Sequence, residues 1–126
     1  YYMSIKEMAA LFLGMLKDSL YDGIFRSMNE YPVIIGGEHQ IDSLIMYHHP
    51  GKFIAKGGAE GLMMVVNLEK KESLVIKIID GSHRAKPVVT KVLLERIGWI
   101  EKDSFTIDTQ IYNSHGNAVG EIKASI

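Results

Sequence analysis

The chain has no cysteine, which excludes disulfides, thiolate metal sites and cysteine nucleophiles and makes the reducing cytoplasm the expected location. It also lacks an excess of either charge, since 14 basic against 15 acidic residues among 126 leave a net charge of −1. No helix or loop gathers lysines and arginines into the stripe that a phosphate backbone needs, so no nucleic acid is expected as a partner. Apolar runs stop well short of the ~18 residues that span a bilayer and no secretory leader opens the chain, so no membrane partner is expected either. Repeats, low-complexity tracts and linkers are missing too. What is present is 47% hydrophobic and 23% charged. That composition fits a single domain over residues 1–126 that buries roughly two thirds of its unfolded surface. Tyr1 is not an initiator methionine, and Tyr1-Tyr2 directly before a helix cap reads as the start of a processed or incomplete product.

Helices lead and strands follow. Ser4-Ile5-Lys6-Glu7 has the spacing of a capping box, and Ile5, Met8, Ala9, Phe12, Met15, Leu16 and Leu20 recur on one stripe suited to a core. A second helix is predicted from Asp22, using Ile24, Phe25 and Met28, and ending where Tyr31 precedes Pro32; the two are expected to pack as a hairpin. Gly36-Gly37 marks a loop, Ile41 to Met46 reads as a further helical turn or two, and His49-Pro50-Gly51 turns the chain into a strand from Lys52 to Ala55. Leu62 to Leu68 and Ser73 to Ile79, joined by Glu69-Lys70-Lys71-Glu72, predict an antiparallel pair. Both runs are apolar on both faces, so the sheet is expected to be covered twice. Pro87 to Ile97 predicts a covering helix with Val88, Val89, Val92, Leu93 and Ile97 on its apolar face, closed by Gly98. A last hairpin pairs Thr109 to Asn113 with Ala118 to Ile122 around Asn113-Ser114-His115-Gly116-Asn117. The fold class is therefore α+β, an antiparallel sheet covered by helices.

One segment carries more chemical information than the rest. Lys56-Gly57-Gly58-Ala59-Glu60-Gly61 sets a lysine at the end of one strand and three glycines before the next, which lets backbone turn tightly or lie against a ligand. Together with Ile76-Lys77-Ile78-Ile79-Asp80-Gly81-Ser82-His83-Arg84-Ala85 and Asn113-Ser114-His115-Gly116-Asn117, in that order and spacing, it resembles the type-II, Rhizobium-type L-asparaginase family. Ile41-Asp42-Ser43-Leu44-Ile45-Met46 adds to the resemblance, which covers nearly the whole chain and corresponds to the C-terminal portion of the family.

The resemblance implies an amidohydrolase that releases ammonia from asparagine, on a fold similar to serine β-lactamases, penicillin-binding proteins and serine-type glutaminases. In those relatives a lysine-x-glycine strand lines the site opposite an attacking serine. Lys56 is carried over as the catalytic lysine, and Gly57, Gly58, Glu60, Asp80 and Arg84 as substrate-binding residues. A desolvated lysine near another cation can serve as base towards a serine hydroxyl. Two departures stand out. The nucleophile pattern Ser-x-x-Lys occurs nowhere in the sequence and the family's zinc-site cysteines are missing, so the nucleophile and any zinc are expected from upstream sequence, and this segment is expected to bind no cofactor. Ile79 stands where many members have an acidic residue before Asp-Gly.

Each of these residues has a plainer explanation as well. Without the family match Lys56 reads more often as a solvated strand-end lysine, Glu60 reads as well as an exposed loop carboxylate, and Lys77 reads as either an ion-pair partner of Asp80 or Glu60 or an edge lysine whose stem covers the sheet. Asp80, Ser82 and Arg84 fit a site rim, while Asp-Gly-Ser has the composition of a turn and Ser82 that of a helix cap. The 5 histidines lack metal-ligand spacing, and the 7 methionines are expected to fill the core. Two functions follow: an L-asparaginase-like hydrolase whose nucleophile lies upstream, or a non-catalytic or degenerate module of the same fold that binds a small amide or a protein. A part of a larger fold exposes apolar surface, which predicts a homo-oligomer.

Overall fold

Residues 2–126 are described by a computed structural model of the chain. In chain order the elements are α1 (Ile5–Met15), a short 3-10 turn (Ser19–Tyr21), α2 (Asp22–Glu30), α3 (Pro32–Gly36), α4 (Ile41–His48), β1 (Phe53–Gly57), β2 (Leu62–Asn67), β3 (Glu72–Lys77), α5 (Ala85–Arg96), β4 (Gln110–Tyr112) and β5 (Ala118–Glu121). The first three strands form an antiparallel sheet in the order β1-β2-β3, and the last two form a separate hairpin. This mixed architecture of helices and antiparallel sheets agrees with the expected class.

The sheet is a middle layer. Register pairs Ala55 with Val65 and Lys56 with Met64, so Phe53, Ala55, Gly57, Met63 and Val65 share one face while Ile54, Lys56, Leu62 and Met64 share the other. On the first face Phe53 stacks on Trp99 at 6.0 Å, and α5 lies against β2. On the second lies α1, fixed to β3 where the Ser73 hydroxyl donates to the Ala9 carbonyl at 2.8 Å. Central β2 is accordingly buried on both faces, as its continuous apolar run requires.

Several local expectations hold. Ser4 and Glu7 form the capping box, with the Ser4 amide donating to Glu7 Oε2 at 2.7 Å and the Glu7 amide donating to Ser4 Oγ at 3.2 Å. Gly98 closes α5 at φ 70°, and the Trp99 amide returns to the Leu94 carbonyl at 2.9 Å. In the last hairpin Asn113 Oδ1 accepts from the His115 and Asn117 amides at 3.0 and 2.9 Å.

Other expectations are corrected by tertiary packing. The helical hairpin is replaced by separate partnerships, α1 with β2 and β3, and α2 with α3, α4 and β1. No α1 residue is fully buried, because a sheet covers only one side of a lone helix, and Ile5, Leu11 and Leu20 stay exposed. The segment ending at Gly36 is helical, with Pro32 in the first turn where its missing N–H leaves no bond unmade. β3 stops at Lys77 and α5 begins at Ala85, ahead of Pro87. The buried stripe of α5 includes Lys86, Thr90 and Leu94, spaced four apart, while Ile97 is exposed.

Candidate active site

β1 is an edge strand, and its outer edge at Gly57 is where α4 meets the sheet. Asp42 lies in the first turn of α4, a position that favours an acid, and it is only 3% exposed. Its Oδ2 accepts from the Gly57 amide at 2.8 Å, and its Oδ1 accepts from the Ser43 amide at 3.0 Å. Lys56 Nζ stands 3.8 Å from the same Oδ2 and donates to the Gly57 carbonyl at 2.8 Å. The Lys56 side chain is 50% exposed, so it is not the desolvated amine that the sequence suggested.

Gly57 is a gap with two neighbours pressed into it. A Cβ there would stand 3.0 Å from Lys86 Nζ and 3.2 Å from Asp42 Oδ2. Gly36 serves the same carboxylate, since a Cβ on residue 36 would fall 2.2 Å from Asp42 Oδ1. Lys86 comes from the first turn of α5, is 6% exposed, and forms an ion pair with no carboxylate among the described residues. Lys56 and Lys86 thus approach the end of β1 from opposite faces, with Asp42 on the edge between them.

On the Lys56 face a cleft of about 320 Å³ is lined by Lys56, Gly57, Leu62 and Met64 from the sheet, by Gly58 from the turn after β1, and by Met8 and Phe12 from α1. It is apolar apart from the lysine and the glycine backbone. Glu60, at φ 55°, belongs to the β1–β2 turn, and Gly81 lies against it, since a Cβ on residue 81 would stand 3.4 Å from Glu60 Cβ. Asp80 immediately precedes Gly81, and its Oδ1 accepts from the Ser82 amide at 2.9 Å, an Asx turn. Ser82 does not cap α5. The N-cap is Arg84, which is exposed and makes no side-chain capping bond. Lys77 forms no ion pair with Glu60 or Asp80 and donates instead to the backbone carbonyls of Glu60 and Ile78. Ile79 is 99% exposed, so whatever stands there is presented to solvent.

The structure therefore joins Lys56, Gly57 and Gly58 in one cleft, gathers Glu60 and Asp80 at the adjoining turns, and adds two residues that sequence reasoning did not select. Asp42 carries a visible signal, an acid inside the apolar run Ile41 to Met46; Lys86 carries a weaker one, a charge in register with Thr90 and Leu94. No group of three or more His, Asp or Glu among the described residues is placed to hold a metal ion. His48 and His49 are spent on aromatic neighbours, His48 stacking on Phe105 at 5.6 Å and His49 edge-on to Phe53 at 5.6 Å.

Compared with known proteins, residues 1–124 match the model of a family described as L-asparaginase II. No curated protein matches the chain.

Proposed function

The chain belongs to the L-asparaginase II family, and from that membership we propose that it supplies the lysine-bearing strand of an amidohydrolase site that releases ammonia from asparagine. The observation that carries this reading is Lys56 at the end of an edge strand, its Nζ beside a buried carboxylate and a small apolar cleft. The attacking serine comes from sequence outside these residues, on a fold like that of serine β-lactamases and glutaminases.

In the reaction a serine hydroxyl adds to the side-chain amide carbon of asparagine while a lysine amine takes the hydroxyl proton. The proton passes to the departing nitrogen, the carbon–nitrogen bond breaks, and ammonia leaves an acyl ester that water cleaves to aspartate. Lys56 is the amine in this scheme; half of its side chain is open among these residues, and the portion of the fold that carries the serine is the part that encloses it. The Gly57-Gly58 backbone brings no side-chain bulk against the substrate, and the apolar walls from α1 and β2 limit water around the reacting carbonyl.

The test is Lys56→Met in a complete protein that also carries the serine nucleophile, since these residues alone are expected to be inactive, with ammonia release and folding both measured. Lost activity in a folded variant is the expected result, and full activity removes Lys56 from the mechanism. Asparagine, glutamine and a chromogenic β-lactam offered in parallel decide the substrate; asparagine is expected to be turned over fastest.

A further inference from the structure

We propose that Asp42 and Lys86 are positioning residues for Lys56: Asp42 tethers Lys56 at the edge of β1, and Lys86, lodged behind Gly57, draws on the same carboxylate and keeps that tether loose. The proposal rests on the reading of Lys56 given above and extends it to two residues outside the motif.

Burial supplies the first argument. An isolated charge taken out of water costs several kcal/mol unless it is compensated, and a methionine or leucine would fill the Lys86 position without that penalty. Lys86 nonetheless sits in the buried stripe of α5 with Thr90 and Leu94, whose packing gives it no counter-charge. The negative charge that it approaches is Asp42: both Lys86 Nζ and Asp42 Oδ2 border the space that a side chain on residue 57 would occupy.

Geometry supplies the second. Asp42 is committed through a 2.8 Å bond to the Gly57 amide, so its carboxylate cannot swing out to meet Lys56. The Lys56 contact stays at 3.8 Å, longer than the 2.9 Å of the Lys91–Glu95 pair on α5. One carboxylate facing two cations across a single glycine holds each less firmly than it would hold one. The arrangement also explains the first glycine after the lysine, because any side chain at residue 57 would separate Lys86 from Asp42.

The test reads Lys56 directly. In the complete, nucleophile-bearing protein the acetylation rate of Lys56 is followed by mass spectrometry, with exposed Lys102 as internal reference, in D42N, K86M and the double variant. Folding is followed by the near-ultraviolet signal of Trp99. D42N releases Lys56 and raises its rate several-fold; K86M leaves Asp42 to Lys56 alone and lowers it. The double variant matches D42N, because Lys86 acts only through Asp42. Both single variants lower kcat by about tenfold to a hundredfold with KM little changed, as expected for a misplaced reacting group.

Equal Lys56 rates in all four proteins overturn the proposal, as does a K86M effect that persists in the D42N background. Should either single variant fail to fold, Gly57→Ala makes the same measurement by pushing one methyl between Lys86 and Asp42, and an unchanged Lys56 rate there also overturns it. A protein in which Lys56→Met retains activity defeats the catalytic reading alone, and the labelling rates still decide whether Asp42 and Lys86 position Lys56.

Discussion

At the scale of single residues, the candidate site depends on two glycines that make room for one carboxylate. Gly36→Ala places a methyl group on Asp42 Oδ1 and must drive the carboxylate off the Gly57 amide. The expected loss is about 1–3 kcal/mol of unfolding free energy, read from denaturant midpoints, because a partly buried N–H then lacks its acceptor. A midpoint equal to that of the unaltered protein would show that α3 yields instead. Lys56 was legible in the sequence because a lysine before three closely spaced glycines is unusual. Asp42 and Lys86 showed only as charges within apolar patterns; that they meet at Gly57 was not legible, because residues 42, 57 and 86 lie on three different elements.

Elements were legible where local chemistry decides them. The capping box of α1 is closed by bonds within four residues, and the Glu7 carboxyl is held below its usual range by the Ser4 amide first and the Ser4 hydroxyl second. A carboxyl depressed in this way stabilises the fold above its unfolded pKa, and that contribution fades as pH falls through the lower folded value. Ser4→Ala is expected to lose about 1 kcal/mol of unfolding free energy at neutral pH, the usual worth of such a cap, and to lose less in acid. An equal loss at both pH values would separate Glu7 from the cap. The strands and the antiparallel pairing of β2 with β3 followed from apolar runs and one charged turn. The partner of α1 did not: its stripe fits a helix or a sheet equally, and the Ser73 hydroxyl that ties it to β3 is 64 residues away from Ala9.

On the scale of the whole molecule, His49 links the end of α4 to the sheet. Burial lowers its pKa most; Lys52 and His48 lower it further, against the Ile45 carbonyl that raises it. The folded state thus favours the neutral ring, so stability is complete above the ordinary value of 6.5 and declines as pH falls below it. Thermal midpoints at neutral and mildly acidic pH should show this decline, and His49→Phe, which keeps the aromatic contacts with Phe53 and Phe105, should flatten it. An unchanged slope in that variant would assign the titration elsewhere. Met3, just before α1, and Ile5, Leu11, Leu20 and Ile24 on the two N-terminal helices and their connection are exposed, an amount of apolar surface that favours self-association. Sedimentation is expected to show species larger than one chain at high concentration; a single monomeric boundary throughout would rule that out.

The sequence by itself determined the α+β class, the capping box, the antiparallel pairing of β2 with β3, the turn of the last hairpin and the lysine-glycine strand, because each depends on residues close along the chain. Only the tertiary structure decided that α1 covers the sheet, that Lys56 is half exposed, and that Asp42 and Lys86 converge on Gly57. The physical reason is the same in each case: burial and charge compensation depend on distance through space, which neither periodicity nor local hydrogen bonding specifies.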